Sequence, residues 1–168
     1  MVDGNQIRTI AAGEGEALLW PERLTDVVAW RAGAPIRRGA LLADAFALAG
    51  DLPDARSIVN CCRDRYNFLV VFTACLVKGT PAAAVVFSSG STGRPEPTVR
   101  TWEWLVRCND DYVRGLGLDR LPGSNIVATV PSQHSYGLET ACMVPLRHQA
   151  AISSAHPLFP ADIATALA

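Results

Sequence analysis

Hydrophobic positions along this chain recur at two spacings, and the switching between them predicts an α/β protein. Residues 18–21, Leu-Leu-Trp-Pro, read as a short strand ended by the proline. Residues 26–30 and 31–36 read as a hairpin of two β-rich pieces around a glycine turn. Over residues 38–50 the apolar positions Leu41, Leu42, Ala45, Phe46, Leu48 and Ala49 fall at helical spacing, with Gly50 as the stop. After a turn at 51–54, residues 57–62 read as a short core strand, Arg63-Asp64-Arg65 as a local ion-pair cluster, and Phe68, Val71, Phe72, Cys75 and Leu76 as the buried stripe of a helix ending at Lys78-Gly79. A strand, a polar corner and a helix in that order make one α/β unit. Residues 85–87 form a buried strand in this reading, 102–116 a helix stopped by Gly115 and Gly117, and 126–130 a β-branched strand ended by Pro131. Residues 136–146 (helix), 150–154 (strand) and 161–168 (helix) complete the pattern, without internal repeats or low-complexity tracts.

Where the strand at 85–87 ends, the chain changes character. Ser88, Ser89, Gly90, Ser91, Thr92 and Gly93 place two glycines and four hydroxyls in six positions, a tight polar loop. Glycines allow positive φ and present successive N–H groups, and hydroxyls add neutral donors, so the composition suits a polyphosphate. The plain alternative is a Ser/Gly-rich turn between two elements. The order of residues favours the first reading, because Phe87 to Pro95 resembles the phosphate-binding signature of the adenylate-forming superfamily of acyl-CoA synthetases, luciferases and adenylation domains. The lysine usual after that proline is replaced by Glu96. The continuation Pro95-Glu96-Pro97-Thr98-Val99-Arg100-Thr101-Trp102 resembles the Pro-x-Pro-His-x-Lys-Thr-Trp run of an aryl-polyene-associated branch, with Thr98 for His and Arg100 for Lys. Arginine keeps the charge but not the reach or hydration of lysine.

A second stretch, Pro131 to Glu139, follows a strand directly, the usual address of ligand contacts in an open α/β sheet. Taken alone, His134 is more often a structural or surface histidine. Downstream of the loop it resembles the family's Pro-x-x-His-x-aromatic-Gly motif, which implies that His134, Tyr136 and Gly137 border the acyl pocket. His148 and His156 have no partner at ligand spacing and read as surface. Asp110-Asp111 reads as a solvated helix face.

With 168 residues the chain is long enough for one domain with a real core. It is 49% hydrophobic and 18% charged with net charge −1, so no basic field draws in nucleic acid. No apolar run approaches the roughly 20 residues of a membrane span, and the N-terminus carries no signal-peptide pattern, so the expected compartment is the cytoplasm. Five cysteines without CxxC spacing read as reduced buried thiols, with no metal role. Lys78 is the only lysine, the other fourteen of fifteen basic residues being arginine. No Gly-x-Ser-x-Gly elbow supports a serine hydrolase, and no lysine follows a loop glycine as a P-loop NTPase requires.

The resemblance covers residues 24–168 and implies part of the N-terminal region of an adenylate-forming enzyme, an open sheet with helices on its faces, preceded by an extension at 1–23. It implies an AMP-forming acyl or aryl acid ligase of the kind that serves fatty acid and aryl polyene metabolism. Such a ligase joins a carboxylic acid to ATP with Mg2+ and passes the acyl group to CoA or an acyl carrier protein. In that reaction Ser88 to Gly93 hold the β- and γ-phosphates, and Arg94 and Arg100 supply positive charge. The family's long segment between its early helix and the loop is reduced here to a few residues near 79–82, from an internal deletion or a shortened chain. Its Tyr-Gly-x-Thr-Glu and Thr-Gly-Asp runs and its C-terminal lysine do not occur. No catalytic residue is therefore assigned, and the alternative is an inactive remnant acting as a nucleotide-binding or interaction module.

Overall fold

The computed structural model describes residues 18, 19, 23–79, 84–88 and 96–167. The predicted hairpin forms as β1 (Val27–Arg31) and β2 (Ala34–Arg37), antiparallel, with Ala32 at φ 49° and Gly33 at φ 78° between them. Two successive positive φ values match the right-handed twist of the strands they join, so this two-residue turn closes without splaying them. The chain then enters α1 (Arg38–Asp51), which buries Leu41, Leu42 and Ala45.

Helix α2 (Arg65–Lys78) begins where the Asp64 carboxylate accepts the Asn67 N–H at 2.8 Å. It ends at Gly79, whose left-handed φ of 77° turns its N–H back onto the Cys75 and Leu76 carbonyls. Helices α1 and α2 pack together under the sheet, and their inner faces merge with Leu18, Leu19, Val28, Leu105, Met143 and Ile152 into one core.

Beyond them lie β3 (Ala84–Ser88), β4 (Glu96–Arg100), α3 (Trp102–Leu116), a 3₁₀ turn at Leu118–Arg120, and β5 (Ser124–Ile126). The run from 135 to 147 is helical throughout, as α4 (Ser135–Leu138), a π turn at Glu139–Met143 and α5 (Val144–Arg147). Pro145 explains the π turn. A proline inside a helix offers no N–H and crowds the carbonyl four residues back, and a widened turn relieves both. The Glu139 carbonyl then accepts the Val144 N–H, five residues on, and the Asn109 side-chain amide at 3.3 Å. Strand β6 (Ala150–Ser153) and α6 (Pro160–Leu167) follow.

The main sheet has strand order β2-β1-β6-β5, with β1 parallel to β6 and β6 parallel to β5. The path from β5 through α4 and α5 to β6 is a βαβ crossover, and β3 and β4 form a separate antiparallel pair. No helix among the described residues is long and apolar enough to cross a membrane.

Several expectations change. Residues 57–62 are not a strand, and no strand among the described residues pairs with them. The Asn60 side chain replaces a ladder by donating to the Phe68 carbonyl and accepting the Cys62 N–H, and Val59 is left 84% exposed. The strand expected at 126–130 is β5, ending at Ile126. Strand β3 is not buried on both faces, because Val85 and Phe87 look outward, and β4 stands between the loop and the helix at Trp102. Residues 18 and 19 are a buried bend, and Trp20 and Pro21 lie outside the described residues. Of the free cysteines only Cys142 is buried, while Cys61 is exposed.

Candidate functional site

The segment from Val127 to Gly137 leaves the carboxyl end of β5, and a buried guanidinium replaces a strand partner along it. Arg65, 1% exposed, donates through Nη2 to the carbonyls of Ala128 and Val130 and through Nη1 to that of Ala155 at 2.8 Å. One planar fork thereby ties the extension of β5 to the extension of β6, which a flexible ammonium could not do. His156 joins it, with Nδ1 2.7 Å from Arg65 Nη1 and Nε2 against the Arg63 carbonyl. Burial lowers the Arg65 pKa, partly offset by the neighbouring Cys142. The Cys142 thiol is itself pushed up to about 12 by burial, against the Ser132 hydroxyl and Arg65. The expected ion-pair cluster at 63–65 is therefore a helix cap, Asp64, beside an inward-turned structural cation.

Held this way, the segment turns into α4. His134 is its N-cap, with ring Nδ1 accepting the Tyr136 N–H at 3.2 Å. In the neutral ring this leaves Nε2 as the donor. Gly137 is buried where the start of the helix packs against the Pro131 backbone. Tyr136 is exposed and meets Tyr112 of α3, with hydroxyls 3.2 Å apart and rings edge to face at 6.2 Å. Desolvation, then the Tyr136 hydrogen bond, raises the Tyr112 phenol to about 12. The pair stands at a cavity of about 320 Å³ walled by Ile126, Val130, Thr140 and Val144, apolar enough for the body of an organic acid.

The loop motif lies almost entirely outside the described residues. Ser88 closes β3, Ser89, Gly90, Ser91, Thr92, Gly93 and Arg94 fall in the undescribed stretch, and Glu96 opens β4 directly across from Ser88. The undescribed stretch thus falls, in sequence, between two paired antiparallel strands. Arg100, at the end of β4, lies over the Trp104 ring at 3.9 Å, a cation held on an indole face. Its charge also partly offsets the desolvation that raises the Glu139 carboxyl. Strands β3 and β5 belong to different sheets, so the strands that lead into the two motifs do not share one sheet edge.

His148 is half-buried rather than on the surface, with Nε2 3.6 Å from Asp110, while Asp111 pairs with Arg114 at 2.7 Å. Among the described residues no three His, Cys, Asp or Glu side chains gather into one cluster. Arg65, Tyr112 and Glu139 are the site residues that sequence reasoning passed over. Tyr112 falls within the helix expected at 102–116, and Pro145 is the one sequence signal for a widened turn around Glu139.

No family model matches the sequence. The chain is 32% identical over 74 residues to a 4-coumarate–CoA ligase of Rhodobacter capsulatus, a match covering 44% of this chain and 19% of that protein. The fold is similar to ATP-bound MatB from Rhodopseudomonas palustris, with TM-score 0.68 and 14% identity over 99% of this chain and 48% of the other. It is also similar to the O-succinylbenzoate coenzyme A synthetase MenE of Bacillus subtilis in complex with ATP and magnesium ion, with TM-score 0.67 and 11% identity over 85% and 57%. The match to the curated ligase spans about a fifth of its length, and the chain covers about half of the solved structures. These comparisons establish the fold class as a mixed α/β open sheet flanked by helices, matching part of the MatB and MenE folds.

Proposed function

We propose that this chain is the phosphate-loop part of an AMP-forming acid–thiol ligase. In the full reaction a carboxylate oxygen attacks the α-phosphorus of ATP and pyrophosphate leaves. The thiol sulfur of CoA or a carrier protein then attacks the acyl carbon and AMP leaves. Ser88 to Gly93 would follow the β- and γ-phosphates, Arg94 and Arg100 would add charge, and Tyr136, with His134 and Gly137 on its flanks, would border the acid. The observation that carries this reading is that α3 holds Arg100, from the end of β4, on its Trp104 ring and also presents Tyr112, which pairs with Tyr136 at the cavity. No step is assigned to magnesium.

A binding module without turnover is the second reading for the chain by itself, and Lys78 favours it. This lysine donates to the Leu52 carbonyl at 2.6 Å and pairs with Asp54 at 3.1 Å, fixed at the end of α2 and away from the cavity. Each preorganised electrostatic contact missing from a transition state typically costs about 2.7–4 kcal/mol, a factor of about 100 to 1000 in rate.

The test is ATP binding by calorimetry alongside carboxylate-dependent pyrophosphate exchange over a panel of fatty and aromatic acids. Saturable ATP binding that disappears in Gly90→Trp and Gly93→Trp, with exchange at background, is the expected result. Absence of ATP binding would remove the assignment of the loop. Exchange clearly above the two variants would show that the isolated chain is an active ligase.

A further inference from the structure

The β3–β4 pair exposes one whole face. In its register Val85 lies opposite Val99 and Phe87 opposite Pro97, so these four side chains share a side. Val85 is 42% exposed, Phe87 66% and Val99 60%, and Pro97 is exposed as well. Ala84, Val86 and Thr98, on the other face, are half-buried, and Ala84 packs on the core. Two-stranded sheets with an open apolar face are marginal in water and gain by adding strands.

The two outer edges differ. Proline has no N–H, so the Phe87–Pro97 pair is a non-hydrogen-bonded one, and by alternation so is Val85–Val99. The N–H and C=O groups of Val85 and Phe87 therefore point away from β4, along the edge of β3 that no strand among the described residues covers. That edge, Ala-Val-Val-Phe-Ser, carries no charge, no proline and no bulge, the devices that normally block edge pairing. The outer edge of β4 lacks a donor at Pro97 and bears Glu96 and Arg100 at its ends, so it is blocked.

We infer that β3 is the self-pairing edge of a homodimer, two copies joining antiparallel about a two-fold axis at Val86. The outward groups fit that axis. Val85 of one copy meets Phe87 of the other in a hydrogen-bonded pair on each side of a non-hydrogen-bonded Val86–Val86 pair, making roughly four backbone hydrogen bonds. Parity is kept, so Val85, Phe87, Pro97 and Val99 of both copies form one continuous apolar face on a four-stranded sheet. The blocked β4 edges end the sheet on both sides, which yields a closed dimer and no fibre. This inference does not depend on the proposed ligase reading.

The interface is small, so the dimer is expected to be weak and to build with protein concentration. Sedimentation velocity over an about hundredfold concentration range reads it directly. A reversible monomer–dimer equilibrium is expected, abolished by Phe87→Asp and by Val85→Pro. The latter removes an outward N–H without touching the bonds to β4. Val59→Asp, at an exposed position elsewhere, should leave the equilibrium unchanged. Phe87→Asp alters only an exposed side chain, so its reading stands even if Val85→Pro fails to fold. A monomer at every concentration, open-ended association, or a dimer that survives Phe87→Asp would overturn the inference.

Discussion

Gly137 and Pro131 are in backbone contact: a Cβ on Gly137 would stand 2.0 Å from the Pro131 carbonyl oxygen and 2.7 Å from its carbon. Nothing flexible lies between them, so any side chain must push the segment before α4 away from the helix. Gly137→Ala should gain the usual helix preference of about 1 kcal/mol yet lose more to overpacking, about 1–3 kcal/mol at this close approach. Urea unfolding measures the balance. A variant as stable as the parent would show that the 131–137 segment is not pinned by this contact.

Arg65 makes the second structural claim on the same segment. Replacing it with lysine keeps the charge but not the fork, and among the carbonyls of Ala128, Val130 and Ala155 at least one is left unsatisfied. Arg65→Lys should cost about 1–3 kcal/mol for each orphaned acceptor. Hydrogen exchange is expected to quicken at residues 128–130 and 154–156 ahead of α1. Uniform loss of protection across the chain would instead mean that Arg65 supports the whole core.

The Tyr112 phenol offers a pH signature. Its pKa is raised in the folded protein from the ordinary 10 to about 12, first by burial and then by the Tyr136 hydrogen bond. A group with a raised folded pKa contributes stability that is complete below pH 10 and is lost as pH climbs towards 12. Tyr136→Phe removes the second cause and leaves the first, so the Tyr112 titration, followed by phenolate absorbance, should move down without reaching the free value. The alkaline loss of stability should shrink with it. An unchanged titration in Tyr136→Phe would show that the hydroxyl contact is absent in solution.

Helices α1, α2 and α3, the β1–β2 hairpin and β6 were legible because each depends on local pattern. Apolar stripes at Leu41, Leu42 and Ala45 or at Leu105 and Val113, a glycine after each of α2 and α3, and a two-residue turn at Gly33 act within a few residues. The stretch at 131–137 was expected directly after a strand, but β5 ends at Ile126, so residues 127–130 lie between them. Residues 57–62 and 127–130 misled because they have strand composition, while pairing depends on a neighbour that composition does not supply.

By itself, then, the sequence determined the α/β alternation, the order of the loop and the histidine motif, and the chemistry each can offer, since these depend on residue identity and short-range spacing. Tertiary structure alone decided that Arg65 turns inward to hold two strand extensions, because its partners are carbonyls 63 to 90 residues away. It also decided that Tyr112 meets Tyr136, and that β3 shows Phe87 to solvent. Backbone carbonyls carry no residue identity, and which face of a strand is covered depends on what packs there, so neither can be read along the chain.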